Sequence, residues 1–315
     1  MKTGRLALLA LAAAPVAGLL LAALAPTGWW VAGLARHWAP QLAVLSLPFW
    51  CWQGRRPLAG LGMLLLAGAA LWPTLLAAYA ARAPAPHGGF TAVTANLYVH
   101  SLRHGEAIAR LDGDLVGLIE TRRDDRALLA GDPRWPQQRW AQPFGAGGCA
   151  LLSRFPMRAK ELELAEAYGL DARIEAPGGT LRVILIHTQS PTRPMHAAWN
   201  SQQLLELAAL AETEPGPLLI LGDLNASPAD PGIAALRAAG MLPPHDGAAA
   251  TWPSWFGPCG IGIDHALVRG LALGGAEAID LPGSDHHGLR VRVAHGADGG
   301  ARQDATRAPA ATPTR

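Results

Sequence analysis

Cysteine is scarce in this chain, with three in 315 residues. There is no CxxC pair, which excludes a disulfide framework as the source of its stability. Cys51 lies in an apolar run, leaving Cys149 and Cys259 either to pair in an oxidising compartment or to serve as two small buried residues. HxH and HExxH spacings are missing, so nothing argues for a zinc centre. A basic excess is missing too: the formal net charge is +2, which speaks against a dedicated duplex-binding surface. The soluble part shows no convincing internal repeat.

What the chain has in plenty is apolar sequence, and most of the excess precedes residue 82. "LALLALAAAPVAGLLLAALA", "PQLAVLSLPFWCW" and "LAGLGMLLLAGAALWPTLLAAYA" are separated by "PTGWWVAGLARHW" and "QGRRP". The first and third runs approach or exceed the roughly 20 residues needed to cross a bilayer. The second does so only if it begins near Trp29 or Val31 and tolerates Arg36 and His37 near one end. Three transmembrane helices are therefore expected over 1–82. A removable signal peptide is a poorer reading of the first run, because Pro26 after "ALA" makes a poor cleavage point and two more apolar runs follow. Lys2, Arg5, Arg55 and Arg56 fall on one side of these spans, against Arg36 and Arg82 on the other. This bias puts the N-terminus inside and the rest outside, which in a bacterium means an inner-membrane protein with a periplasmic domain. Trp29, Trp30, Trp50, Trp52 and Trp72 suit either an interfacial belt or packing between helices.

After a linker at 83–89 the texture changes to short apolar runs punctuated by Gly, Pro and Asp, the pattern of strands alternating with helices. This domain is expected over 90–294, and residues 295–315, almost without large apolar side chains, as a disordered tail. Its apolar runs end alike: "FTAVTA" delivers Asn96, "GDLVGLI" Glu120, "LRVILI" His187, and "PLLILG" Asp223 with Asn225 two places on. A strand can end in Asp or Asn merely because the next turn favours it; four such ends together are harder to dismiss. In an extended chain, residues two apart share a face, so Asp223 and Asn225 aim at one spot, and Gly222 lets the backbone come close. Asp264, inside the apolar run "GIGIDHALV", needs a hydrogen-bond donor. His286 of "GSDHHGL" is the candidate, and such a pair would fix the imidazole's tautomer and raise its basicity. His265 and His287 are read as structural or solvent-exposed.

"TANLY", "LIET", "GGCALLSRFP", "HTQSP", "GDLNASP", "GIDHALV" and "GSDHHGL" together resemble, in order, the successive motifs of the endonuclease/exonuclease/phosphatase superfamily. The resemblance runs from Thr91 to Val293 and leaves out the membrane-spanning start. It implies an α/β fold, a four-layer α/β/β/α sandwich of two mixed β-sheets, and a phosphate ester as substrate. It further implies Glu120 as ligand of Mg²⁺ or Mn²⁺ with Asn96 and Asp285 assisting. Asp223 would orient or deprotonate the attacking water, Asn225 would hydrogen-bond a phosphoryl oxygen, and His187 and His286, the latter polarised by Asp264, would bind the phosphate. Independently, a mostly oxygen donor set suits Mg²⁺ or Mn²⁺ better than zinc. Arg122 and Arg123 either reach a substrate phosphate or are surface arginines at a helix start. "PMHAAWNSQQLLELAALAE" suits an outer helix with Leu204, Leu207 and Ala211 facing a sheet.

The chain also departs from the pattern. "FGAGG" stands where the deoxyribonuclease branch has an acidic residue supporting the histidine matched by His187, and no base-reading surface is identifiable. Three readings follow: a metal-dependent phosphodiesterase or endonuclease acting on nucleic acid outside the inner membrane; the same chemistry on a phospholipid headgroup or a small phosphorylated metabolite; and an inactive membrane-anchored binding module. The complete acid, amide and imidazole set counts against the third. The DHH phosphoesterases fail on context, since their motif should occur early and here it closes the domain.

Overall fold

The computed structural model describes residues 2–25, 29–52, 88–141, 147–164, 167–244 and 249–295, with the side chains of 2–12 and 47–52 left out. Two mixed sheets make up its centre. The first has six strands in the order β10-β11-β1-β2-β4-β3: β1 (Phe90–Asn96), β2 (Leu115–Thr121), β3 (Gln137–Ala141), β4 (Gly148–Ser153), β10 (Leu271–Ile279) and β11 (Gly288–His295). The second runs β5-β6-β7-β8-β9: β5 (Met157–Glu161), β6 (Tyr168–Ala176), β7 (Gly179–His187), β8 (Leu218–Asp223) and β9 (Asp264–Arg269). Each sheet holds one parallel pair, β1 with β2 and β7 with β8.

Successive side chains sort onto opposite faces of these strands, so residues two apart share one. Phe90 and Ala92 of β1, Leu115 and Ile119 of β2, Val183 and Leu185 of β7, and Leu219 and Leu221 of β8 form the core between the sheets. Val93 and Ala95, with Val116 and Leu118, face outward and are covered by the short helix α4 (His104–Ala109), by Leu129 at the end of α5 (Arg123–Leu128) and by Trp135. Ile184 and Ile186, with Leu218 and Ile220, are covered by α6 (Pro194–Thr213) and α7 (Pro231–Ala238). The expected four layers are therefore present, and α6 buries Leu204, Leu207 and Ala211 as its spacing predicts. Each fully buried Leu or Ile contributes about 1.5–3 kcal/mol relative to exposure. At the centre of the interface Gly117 permits the sheets to close, because a Cβ there would stand 2.5 Å from Leu185 Cδ1.

The amino-terminal segment differs from expectation. The first apolar run is one helix, α1 (Lys2–Leu24), but the second is broken at Trp38 into α2 (Trp30–His37) and α3 (Ala39–Trp52), of 8 and 14 residues. Each is shorter than a bilayer crossing requires. Pro40, which has no N–H to continue the ladder and crowds the Arg36 carbonyl, accounts for the break, and the polar residues around it find protein partners. Arg36 donates to the carbonyls of Ala22 and Ala25 at the end of α1, and His37 Nδ1 lies 2.9 Å from Ser227 Oγ and accepts from Ser227 N–H. Gln41 donates to the carbonyls of Cys259 and Gly260. α2 therefore lies on the domain. Leu19 of α1 packs on Ala39 and Ala43 of α3. Among the described residues no helix is long and apolar enough to cross a membrane; for α1, the side chains of residues 2–12 lie outside them. The third run and the linker fall within 53–87, and the tail within 296–315, all outside the described residues. Cys149, buried in β4, and Cys259, exposed, are both free thiols.

Candidate active site

Strand pairing brings the polar tips together. In the second sheet His187 pairs with Asp223, and Asp223 with Asp264, so three strands deliver three functional groups in one row. β1 and β2 bring Asn96 and Glu120 from the opposing sheet, and the turn before β11 adds Asp285 and His286. Glu120, His187, Asp223, Asn225, Asp285 and His286 line one cavity of about 940 Å³. Asn96 and Asp264 stand behind its wall, fully or almost fully buried.

Asp223 Oδ2 is the hub. It accepts from Asn96 Nδ2 at 3.1 Å and lies 3.7 Å from His187 Nε2 and 3.8 Å from His286 Nε2. The same Asn96 Nδ2 donates to Glu120 Oε1 at 3.0 Å, while Asn96 Oδ1 accepts from Tyr98 N–H at 2.9 Å. Reversing the amide would set its oxygen against two carboxylates, so the network itself fixes the orientation. Asn96 thus spans the two sheets. Asp264 Oδ2 accepts from His286 Nδ1 at 2.8 Å, which fixes the tautomer and leaves Nε2 facing Asp223. The pairing of Asp264 with His286 expected from the sequence is present. Asn225 N–H donates to Asp223 Oδ1, and its amide donates to Thr188 O.

Backbone conformation aims these groups. The described non-glycine residues with positive φ are Tyr98, Glu120 and Asn225, at 58°, 56° and 47°, and all three line the cavity. Such positions cost about 1–3 kcal/mol each and persist where the surroundings enforce them. At Glu120 the enforcement is visible. The pairing of β2 with β4 slips between Ile119 and Thr121, a bulge that re-aims the side chain, and Val99 N–H holds Glu120 Oε2 at 2.8 Å. Gly222, with φ at 141°, is the close approach the sequence suggested: a Cβ there would meet Ile186 O at 1.9 Å.

Burial divides the electrostatics. Burial pushes Asp223 up to about 6, aided by the like charge of Asp264 and partly offset by His286 and His187. Burial pulls His286 down, but the charge and hydrogen bond of Asp264, with Asp223 beyond, outweigh it and raise it to about 10. Asp223, Asp264 and His286 also offer ligand atoms within 4.8 Å of one another; the hydrogen bond between Asp264 and His286 makes this trio a proton-handling group rather than an ion cage.

Sequence reasoning missed the supports. Ser284 Oγ donates to Asn96 O at 2.7 Å and accepts from His286 N–H at 3.0 Å, tying the turn to β1. Thr251 Oγ1 accepts from the N–H groups of Ile263 and Asp264. Trp252 Nε1 donates to Asp285 Oδ2 at 3.2 Å. Buried His104 lies between Asp125 Oδ2, at 2.7 Å, and the Tyr98 carbonyl, at 3.0 Å, under the turn that holds Glu120. Single hydroxyls and one histidine at a helix start carry no spacing signal. His265 donates to Ala226 O and, like His287, Arg122 and Arg123, does not line the cavity. The carboxylates facing His187, Glu120 and Asp223, both lie on its Nε2 side.

Comparison with solved structures returns the same fold. A humanized D. rerio TDP2 superposes with a TM-score of 0.54 at 15% identity, covering 64% of this chain and 98% of that one. An endonuclease/exonuclease/phosphatase from Beutenbergia cavernae gives 0.53 at 16%, covering 66% and 72%. A 3′ phosphatase, NExo, from Neisseria, bound to product DNA hairpin, gives 0.50 at 18%, covering 64% and 98%. No curated protein matches the chain. The model of the Endonuclease/Exonuclease/phosphatase family matches residues 93–286, more than half of the chain and the whole span that carries the polar strand tips, and the chain belongs to that family.

Proposed function

We propose that this protein is a divalent-metal-dependent hydrolase of phosphate diesters. Members of its family are phosphoesterases. The observation that carries the reading is the convergence of Glu120, His187, Asp223, Asn225, Asp285 and His286, from separate segments, on one cavity.

The donor set fits a hard cation. Glu120 and Asp285 are carboxylates at the cavity wall, positioned by Asn96 and Val99 in one case and by Trp252 in the other. These oxygens would hold Mg²⁺ or Mn²⁺, with Asn96 supporting Glu120 from behind. A bound ion would offset negative charge on the phosphoryl oxygens. The chain's own groups do the rest. Asp223, raised to about 6, is a stronger base than an ordinary carboxylate while still ionised near neutrality, and it takes the proton of the attacking water at Oδ2. His286 stays protonated well above neutrality and donates Nε2–H beside Asp223, where charge on the phosphoryl group builds up. His187 offers a second ring N–H, and Asn225 has an amide N–H left after its bond to Thr188.

The apolar amino-terminal sequence supports a bilayer anchor with the catalytic domain on the outer, periplasmic face, α2 lying against the domain rather than crossing. In the sequence Lys2 and Arg5 precede the first apolar run and Arg55 and Arg56 precede the third, against Arg36 and Arg82 on the other side. That polarity supports the inside assignment of the N-terminus. A reporter fused after residue 294 should be active only in the periplasm, and cytoplasmic activity would reverse the orientation.

The decisive assay sets the purified full chain with Mg²⁺ against an aryl phosphodiester, plasmid DNA, single-stranded RNA and sphingomyelin. Hydrolysis stopped by EDTA and restored by Mg²⁺ is expected; inertness toward all four substrates would overturn the reading.

A further inference from the structure

The same cavity has a second wall that the phosphoryl chemistry does not use. Trp30, Leu34 and Trp38, four residues apart on and just after α2, form one helical stripe, and all three line the cavity together with the catalytic carboxylates. Trp252, Ile261 and Ile263 continue this apolar lining from the domain. The stripe is held in place by the tethers of the segment, His37 to Ser227 and Gln41 to the carbonyls of Cys259 and Gly260. It also continues outward. The Trp38 ring lies 6.2 Å from Trp252 and 6.1 Å from Phe256, and Phe256 and Trp255 are 51% and 71% exposed.

We propose that this wall is a binding subsite for an aliphatic chain, so that the ligand of the site is an amphipathic phosphate ester, with its phosphate at the catalytic groups and its apolar part along α2. The inference rests on the hydrolase reading for the phosphate end only. Three observations favour an aliphatic occupant over a nucleic acid strand. The described residues lining the cavity include no Arg or Lys, whereas strand binding draws most of its affinity from cationic contacts to phosphates. The one arginine of α2 is turned back onto the carbonyls of Ala22 and Ala25. The apolar lining also reaches outward through Trp38 to the half-exposed ring of Phe256, as a ligand partly held in a lipid phase requires. A cavity of about 940 Å³ is ample for a phosphate and a medium-length chain.

The test is calorimetric titration of the full chain with alkylphosphonates from methyl to octyl, in one non-ionic detergent so that micellar partition is common to all proteins compared. Affinity should tighten by at least about tenfold from methyl to octyl, since buried methylenes each add to binding. That gain should fall to near unity in Trp38→Ala and, separately, in Leu34→Ala, which leaves the His37 and Gln41 tethers untouched; Trp38→Leu should restore part of it. Circular dichroism and thermal unfolding verify that each variant is folded. Equal affinity along the series, or a gain retained in both folded alanine variants, overturns the subsite. So does tighter binding of oligothymidylate than of octylphosphonate, lost in the same variants, which would give the wall to base stacking. Hydrolysis of the aryl diester with no chain-length preference removes the subsite alone, whereas a chain-length preference without hydrolysis removes the hydrolase reading alone.

Discussion

Two halves of the candidate site are built from similar side chains and behave differently. Asp223, Asp264 and His286 have side chains no more than 6% exposed, whereas Glu120 and His187 are 19% and 17% exposed. The buried half shows strong shifts, Asp223 up to about 6 and His286 up to about 10; the open half is oriented by backbone N–H groups and amides instead. The difference teaches a division of labour. Desolvated groups interact strongly and set protonation, while hydrated oxygens remain free to take a cation or an anionic substrate.

Breaking the buried half should have the largest effect. Asp223→Asn or His286→Ala is expected to lower kcat at least about a thousandfold with the fold retained by circular dichroism. Turnover within tenfold of the parent would remove their assigned roles. Asp264→Asn comes next, at about a hundredfold or more, and it carries a stability signature. The folded His286 is raised above its unfolded value, so its contribution is fully present below about 6.5 and is lost as pH rises through about 10. Thermal unfolding in EDTA should therefore show the parent losing stability across that window more steeply than Asp264→Asn. Parallel profiles would mean that Asp264 does not hold the imidazolium.

The open half should answer to metal instead. Mg²⁺ is expected to raise the parent's Tm, because a ligand that binds only the native state stabilises it by mass action. Glu120→Gln should blunt that rise while leaving the Tm in EDTA nearly unchanged; an undiminished rise would place the ion elsewhere. Ser284→Ala is the mildest change. It removes the hydroxyl bridging Asn96 and His286, at about 1 kcal/mol of stability and a few-fold in kcat. A loss as large as that of His286→Ala would make Ser284 more than a support.

Much of this was legible because strands announce themselves by period. The short apolar runs give the strands and the polar residues closing them give Asn96, Glu120, His187 and Asp223, while the four layers came from the resemblance to the family's motifs. What could not be read depends on distant partners. The bulge that turns Glu120 requires knowing how β4 pairs. The docking of α2 rests on a hydrogen bond between His37 and Ser227, 190 positions apart, so part of an apolar run that looked like a membrane helix lies on the domain. Ser284, Thr251 and Trp252 are supports, and their identity follows from where the chain passes rather than from any motif.

Asn96 gives the architecture a built-in gauge. One nitrogen on the first sheet touches carboxylates delivered by both, so a sideways slip of either layer would pull its hub apart before any strand unpaired. Chemical competence and correct seating of the sandwich are thereby the same event, and a misassembled molecule would be silent rather than indiscriminate.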